Sequence, residues 1–296
     1  MGNILTKQFY RQRKDFEDLC AGRDAGLTFP EGVRCSTDIA YADDGIKAHL
    51  LDIYRPEDSQ EKVLPVIINV HGGGLIIGNK EFNRYFCALL CKKGFLVYSI
   101  EYRLIPDCLI YDQIADVFMA MDYIKERLAA DGGDSSHVYM AGDSGGACLI
   151  TYANAIQNST NIARAANVTP SGLRINALGL ISGMFYTSRF DKIGLFLPKY
   201  LYGRDYKKTS FAKYVNPENR ELLNSLAPVW LVTSHNDFLR RYTTDFEKAL
   251  TRAEREHELV VFPKNKKLTH AFSVFEPFLS ESSAVIDMMV EYLRKF

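Results

Sequence analysis

The chain has 296 residues, of which 47% are hydrophobic and 24% are charged, the balance of an ordinary globular protein. Its 36 basic and 36 acidic residues cancel to a formal net charge of zero. Binding to nucleic acid is therefore not expected, because a polyanion binder needs an excess of Lys and Arg. No apolar run reaches the length of a transmembrane helix, so no transmembrane segment is expected.

The N-terminal residues and the cysteines bear on location and on metals. Residues 1–20 are polar and basic and lack the apolar core of a signal peptide, which predicts a cytoplasmic protein. The six cysteines form no CxxC pair, and no histidines cluster beside them. We therefore expect reduced thiols and no metal site.

Short apolar runs alternate with helical patterns along most of the chain. Buried parallel strands are predicted over residues 66–70, 95–100, 138–141, 177–181, 229–232 and 259–262. Residues 49–54 alternate polar and apolar side chains, which predicts an antiparallel edge strand. Helices are predicted over residues 114–128, 147–156, 245–256 and 283–295. This order indicates an α/β fold with a mostly parallel central sheet and helices on both faces.

Two segments fall outside this alternation. Residues 1–34 have helical character but precede the sheet, and residues 183–226 form a long insert rich in aromatic residues. An insert of that length inside a compact domain is usually functional. We therefore expect a single domain over residues 1–296, in which the two segments form a helical cap over one end of the sheet.

The strongest motif is Gly142-Asp143-Ser144-Gly145-Gly146, which follows a predicted strand and precedes a predicted helix. A G-x-S-x-G motif in that context is typical of a nucleophile elbow. The serine of such an elbow has a strained backbone, so the positions two before and two after it must be nearly free of side chain. Gly142 and Gly146 meet that demand. We predict that Ser144 is a nucleophile at the N-terminus of a helix, whose dipole favours developing negative charge.

A glycine loop, His71-Gly72-Gly73-Gly74, follows the strand predicted over residues 66–70. Acyl transfer creates an oxyanion that needs backbone N–H donors close by, and glycines let the backbone approach a substrate. A phosphate-binding loop is the alternative. It is disfavoured because the Lys-Ser/Thr pair of a P-loop and a GxGxxG pattern are both missing.

A serine nucleophile requires a base, and the base requires an orienting acid. In hydrolases with this elbow, the acid and then the histidine follow the serine, each on a loop after a strand. His257 opens a predicted strand at the wrong end of the sheet, and His235 lies where the acid is expected. The sequence therefore predicts His270 as the base and Asp237 as the acid.

Together these motifs resemble the hormone-sensitive-lipase-like carboxylesterases of the α/β-hydrolase fold. The features that match, in chain order, are the HGGG loop, Tyr102-Arg103-Leu104 with Pro106, Asp116, the GDSGG elbow, Asp237-Phe238-Leu239 and His270. The resemblance implies that the oxyanion-hole N–H groups come from Gly73, Gly74 and Gly145. It also implies structural supporting roles around the hole for His71, Tyr102 and Arg103. This chain departs from the family in having Gly145 in place of the usual alanine and Ala271 in place of the usual glycine.

The resemblance further implies a serine ester hydrolase that cleaves small-molecule esters through an acyl-enzyme, without metal or cofactor. We expect short- to medium-chain acyl esters to be preferred. Substrate contacts are predicted for Leu75, Ile76 and Phe196, and the insert contributes further pocket aromatics, Phe185, Tyr186, Tyr200 and Tyr202. An amidase or peptidase with the same triad stays open, as does a non-catalytic ligand-binding homologue, although such receptors lack the base that His270 supplies. The sequence leaves a homo-oligomer open.

Overall fold

The structure, a computed structural model, describes residues 2–59 and 62–296, with side chains from residue 5 onward. Met1 of the expected cap segment lies outside the described residues. Eight strands are described: β1 (Val33–Ala40), β2 (Leu50–Pro56), β3 (Leu64–Val70), β4 (Leu96–Ile100), β5 (Gly133–Asp143), β6 (Leu178–Ile181), β7 (Val229–Ser234) and β8 (His257–Phe262).

These strands form one sheet in the order β1-β2-β4-β3-β5-β6-β7-β8. β2 pairs antiparallel with β1 and β4, and the strands from β4 to β8 pair in parallel. The predicted α/β fold with a mostly parallel sheet is confirmed.

The described helices are α1 (Gly2–Asp24), α2 (Arg84–Lys92), α3 (Ile110–Arg127), α4 (Ser144–Asn158), α5 (Thr160–Ala166), α6 (Lys192–Phe196), α7 (Pro198–Leu201), α8 (Arg220–Asn224), α9 (Arg240–Arg252), α10 (Phe272–Phe275) and α11 (Ser280–Leu293). Short 3-10 helices cover Lys80–Asn83, Tyr206–Lys208 and Ala212–Tyr214. None of the helices in the described part of the chain combines the length and the apolar character that crossing a bilayer requires.

Helices cover both faces of the sheet and create two hydrophobic cores. α3, α4 and α9 pack on one face, and α2 and α11 pack on the other. In β3, Val66, Ile68 and Val70 enter the first core, and Ile67 enters the second. Because successive side chains of a strand point to opposite faces, a strand that is covered on both faces must be apolar throughout.

The prediction that residues 49–54 form the edge strand was wrong. They form β2, which is antiparallel as predicted, but β1 lies outside it at the edge of the sheet. β1 was not predicted, because the polar residues Arg34, Ser36 and Asp38 interrupt its apolar pattern. Its pairing register also shifts between Ser36 and Ile39, where Asp38 has a φ of 57°. β1 begins at Val33, within the expected cap segment.

The helix predicted over residues 245–256 begins earlier, at Arg240, because Tyr242 and Phe246 both belong to its buried face. Asp245 therefore lies in the second turn of α9 rather than at its N-terminus. Its carboxylate accepts a hydrogen bond of 2.8 Å from Arg189 of the insert. Asp245 and Arg189 thus form an ion pair between α9 and the insert.

Candidate active site

The predicted site residues lie where parallel strands end. β3 leads into the His71–Gly74 loop, and β5 ends immediately before Ser144. Asp237 follows β7, and His270 lies in the loop after β8. The carboxyl ends of parallel strands meet at one edge of the sheet, which is where ligands bind in open α/β sheets.

Ser144 occupies a tight turn between β5 and α4. Its φ of 50° lies in the left-handed region, which few non-glycine residues adopt. A Cβ atom on Gly142 would lie 2.6 Å from the carbonyl oxygen of Val70, and one on Gly146 would collide with the same oxygen. The two glycines therefore allow the turn to pack against β3 and hold the serine hydroxyl clear of the sheet.

Three predicted residues form a continuous chain of hydrogen bonds. Nε2 of His270 lies 2.9 Å from Oγ of Ser144, and Nδ1 of His270 lies 2.7 Å from Oδ1 of Asp237. A proton on Nδ1 is donated to the carboxylate, which leaves the Nε2 lone pair to accept the serine proton. This is the arrangement that activates a serine hydroxyl.

The Asp237 carboxylate is fixed on both of its oxygens. Oδ1 also accepts the backbone N–H of Leu239 at 2.8 Å, and Oδ2 accepts the hydroxyl of Thr233 at 2.8 Å. Burial alone would raise the pKa of Asp237, but the hydrogen bond and the charge of His270 outweigh it and hold that pKa below its usual value. The carboxyl group of Asp237 is therefore ionised at neutral pH.

The glycine loop lies directly over the start of α4. Gly73 and Gly74 have φ values of 106° and 61°, and a Cβ atom on Gly145 would lie 3.0 Å from the nitrogen of Gly74. Among the backbone hydrogen bonds of the described residues, none uses the N–H of Gly73 or Gly74. Gly145 is the second residue of α4, so its N–H has no acceptor within the helix. These N–H groups are thus available close to Ser144.

The buried carboxylate of Asp143 holds the glycine loop in place. Oδ1 of Asp143 accepts the backbone N–H of Gly72 at 3.0 Å and the side-chain amide of Asn83 at 3.0 Å. Burial raises the pKa of Asp143 above its usual value. The residue before the nucleophile therefore connects the elbow to the loop opposite it.

His71 anchors the other side of the loop. Its Nε2 lies 2.9 Å from Oε1 of Glu101, and its ring stacks on Tyr102, whose hydroxyl donates to the His71 carbonyl at 2.8 Å. Burial lowers the pKa of His71, but the carboxylate of Glu101 outweighs burial, and the net pKa is raised. Nearby, the Arg103 guanidinium donates to both carboxylate oxygens of Asp116.

A cavity of about 570 Å³ opens above Ser144 and is lined mainly by apolar side chains. One wall is a stripe on α1, made of Leu5, Phe9, Gln12, Phe16 and Leu19. The opposite wall comes from the insert, with Lys192, Ile193, Phe196, Leu197 and Tyr200. Arg13 holds α1 in place by donating to the carbonyl oxygens of Ile76 at 2.8 Å and Ile105 at 2.7 Å.

The predicted substrate contacts divide into two groups. Ile76, Phe196 and Tyr200 line the cavity. Leu75 does not: its φ of 69° turns the side chain into the hydrophobic core, where it is fully buried. The expected pocket aromatics Phe185, Tyr186 and Tyr202 also lie in the core rather than on the cavity wall.

A family model described as alpha/beta hydrolase fold matches residues 67–273, which include the glycine loop, the elbow, Asp237 and His270. The chain belongs to the alpha/beta hydrolase fold family. The predicted resemblance to hormone-sensitive-lipase-like carboxylesterases is confirmed by this match together with the esterase relatives.

Two curated relatives of this α/β hydrolase are esterases. A probable isoprenylcysteine alpha-carbonyl methylesterase of Oryza sativa subsp. japonica is 29% identical over 184 residues, covering 58% of this chain and 44% of that protein. Esterase LipQ of Mycobacterium tuberculosis is 33% identical over 120 residues, covering 40% and 28%. The matched region thus spans less than half of either relative. Esterase B from Lactobacillus Rhamnosis (HN001) superposes with a TM-score of 0.92 at 22% identity, covering 99% of this chain and 95% of that one.

Several residues of the site were not predicted. Asp143 stood inside the elbow motif, but nothing in the motif indicates that its carboxylate reaches Gly72. Glu101 precedes the Tyr102-Arg103-Leu104 triplet but belongs to no motif, and its contact with His71 depends on how β3 and β4 pair. The α1 stripe could have been found from its helical spacing, although the spacing does not show what the stripe covers.

Replacement of Asp237 by asparagine tests the orienting acid. We expect kcat to fall by at least about two orders of magnitude, because the wrong imidazole tautomer is allowed and the imidazolium loses its counter-charge. Asp245→Asn is the matched control: its carboxylate pairs with Arg189 away from His270, so its kcat should change by less than about threefold. Circular dichroism checks that both variants fold. The reverse pattern of activities would exclude Asp237 as the acid.

Gly73→Ala tests the conformation of the glycine loop. An added methyl group would collide with the backbone carbonyl oxygen of Ile77, and the φ of 106° at this position is strained for any residue with a side chain, so the loop must change shape. We expect kcat to fall by about tenfold or more, since loss of one oxyanion donor typically costs 10²–10³. Gly22→Ala, in open space on α1, is the control and should keep full activity. Unchanged kcat in Gly73→Ala would contradict the assignment of the loop to the oxyanion.

Glu101→Gln tests whether Glu101 stabilises protonated His71, through the pH dependence of the unfolding free energy. Because the folded pKa of His71 is raised, its stabilising contribution is complete below its unfolded value and is lost as the pH rises through the folded value. The variant should therefore lose about 1–3 kcal/mol of unfolding free energy at pH 6 and less at pH 9. Urea denaturation at both pH values measures the difference. An equal loss of unfolding free energy at both pH values would mean that Glu101 does not stabilise the protonated form of His71.

Proposed function

We propose that this α/β hydrolase is a serine carboxylic ester hydrolase that acts through an acyl-enzyme, with Ser144 as nucleophile, His270 as base and Asp237 as orienting acid. The observation that carries the proposal is the hydrogen-bond chain through both nitrogens of His270. The esterase and methylesterase names of its relatives support ester rather than amide chemistry. A purely ligand-binding role is disfavoured, because such a role does not require a base bonded to the serine.

The first half-reaction forms the acyl-enzyme. Oγ of Ser144 attacks the acyl carbonyl carbon while its proton passes to Nε2 of His270. The carbonyl oxygen becomes an oxyanion, which accepts hydrogen bonds from the N–H groups of Gly73, Gly74 and Gly145. The ester C–O bond then breaks, and the alcohol leaves with the proton from His270.

Water completes the cycle by the same groups. It loses a proton to His270 as it attacks the acyl carbonyl carbon of the acyl-enzyme, and the second oxyanion forms in the same loop. Its collapse releases the carboxylic acid and returns the proton to Ser144. The ionised Asp237 stabilises the imidazolium in both half-reactions.

The cavity favours esters with short- to medium-chain acyl groups. Its volume of about 570 Å³ must hold the acyl and the alcohol portions together. α1 encloses it against two other segments, because the ring centroid of Phe9 lies 5.2 Å from that of Tyr200 and the ring centroid of Phe16 lies 4.8 Å from that of Phe82. Residues 1–34, through α1, and residues 183–226 thus act as the cap of a single domain.

The proposal includes a cytoplasmic location. All six cysteines of the chain carry free thiols, which persist in reducing compartments.

An ester panel with wild type and Ser144→Ala tests the proposed activity. Wild type should hydrolyse acetyl to hexanoyl esters of 4-nitrophenol, and Ser144→Ala should lose at least about three orders of magnitude in kcat. Anilides of the same acids, assayed in parallel, test the amidase alternative. Faster cleavage of anilides than of esters, or undiminished hydrolysis by Ser144→Ala, would refute the proposal.

Acyl-chain length is a separate prediction. Because the cavity is shared between both portions of the ester, kcat/KM should be higher for butyryl than for palmitoyl esters. The comparison uses the same alcohol and a detergent concentration that keeps both substrates dispersed. A higher kcat/KM for palmitoyl would show that the cap leaves room for long chains.

A further inference from the structure

Five large apolar side chains are exposed around the mouth of the cavity, and we call them the rim: Leu19, Phe190, Leu195, Phe196 and Phe238. Leu19, Phe196 and Phe238 line the cavity itself. Phe190 and Leu195 belong to the same short segment as Phe196 and line a shallow surface groove beside it. Phe196, which lines the cavity, directly follows Leu195, which lines the groove together with Phe190, Lys199 and Lys207.

The exposure of the rim is unusual for side chains of this size. Phe190 is 91% exposed and Phe238 is 74% exposed. Phe238 packs over the ring of His270, but Phe190 and Leu195 contact neither the triad nor the cavity. Large exposed apolar side chains grouped beside polar residues are typical of an interaction site.

Basic residues border the rim. Residues 188–208 contain six basic and two acidic residues, a net charge of +4 in a chain whose formal net charge is zero. Within the described residues, no carboxylate forms an ion pair with Lys192, Lys199 or Lys207. The two acids of the segment already have partners: Asp191 accepts the hydroxyl of Tyr242, and Asp205 pairs with Lys208 at 2.8 Å.

Acidic residues on the neighbouring element do not offset this charge. Asp245 of α9 lies within ion-pair distance of Arg189, Arg241 and Lys248. Lys199 and Lys207 thus remain available to an external anion, in the same groove as the exposed side chains of Phe190 and Leu195.

We propose that the rim docks on an anionic lipid surface, with Phe190 and Leu195 in the interfacial region and Lys199 and Lys207 against the headgroups. Apolar side chains bordered by lysines are what binds proteins in the plane of an anionic membrane. A lipid surface suits this position better than a protein partner does, because a partner seated on the rim would close the mouth of the cavity. If the proposed esterase activity holds, amphipathic esters enter the cavity directly from the lipid.

Vesicle sedimentation of the full chain tests the docking. The vesicles are pure phosphatidylcholine or phosphatidylcholine mixed with phosphatidylglycerol. Wild type should bind the mixed vesicles, and Phe190→Ser and Leu195→Ser should each bind them at least about tenfold more weakly. Lys199→Gln/Lys207→Gln should lose about fivefold per lysine on mixed vesicles and nothing on pure phosphatidylcholine.

Matched controls come from the opposite edge of the sheet. Val63 is 69% exposed just before β3, so Val63→Ser should bind like wild type. Lys62→Gln/Lys92→Gln removes the same charge near the amino ends of β3 and β4 and should also bind like wild type. Ser144→Ala should bind fully, so a failure of the proposed activity leaves the docking result intact.

Activity in solution separates docking from folding. Neither Phe190 nor Leu195 lines the cavity, so both serine variants should hydrolyse a water-soluble acetyl ester at the wild-type rate. The proposal is overturned if wild type does not bind mixed vesicles, or if Phe190→Ser and Val63→Ser bind them equally well. Loss of binding in the lysine variant alone, with both apolar variants unaffected, would assign the surface to an acidic polymer instead and would also overturn it.

Discussion

The hydrogen bond between Nε2 of His270 and Oγ of Ser144 joins residues that are 126 positions apart in the chain. It can form only because β5, β7 and β8 run in parallel, so that the loops after them meet at one edge of the sheet. The apolar strands that build the two cores therefore also bring Ser144, Asp237 and His270 together. A slip in strand register would separate His270 from Ser144.

The glycine loop lies at that same edge and is held by hydrogen bonds to carboxylates as well as by packing. Asp143 bonds to the backbone of Gly72, and Glu101 holds His71 at the start of the loop. Asp143 is buried and Glu101 is mostly buried, and hydrogen bonds are stronger away from bulk solvent, where an unpaired polar group is costly. The loop therefore has little freedom to move, and preorganised N–H groups of this kind stabilise an oxyanion without reorganisation during the reaction.

Residues in a local motif were predictable, as were Asp237 and His270, which follow the serine in the chain order of this fold; the supporting contacts between distant residues were not. Ser144 and the glycines around it share one contiguous motif, and the strands follow from uninterrupted apolar runs. Leu75 was assigned to the cavity because of its neighbours in sequence, but its positive φ turns the side chain into the core. β1 was missed because its polar residues and shifted register conceal a strand. Contacts such as Glu101 with His71 require knowledge of which strands pair.

The central claim is that Ser144 is an activated nucleophile, and active-site labelling tests it most directly. An activated serine reacts with a fluorophosphonate, whereas an ordinary serine hydroxyl does not. Wild-type protein treated with such a probe and analysed by peptide mass spectrometry should carry a single adduct, on Ser144, and Ser144→Ala should carry none. Undiminished labelling of Ser144→Ala, or an adduct on another residue of the wild type, would contradict the account.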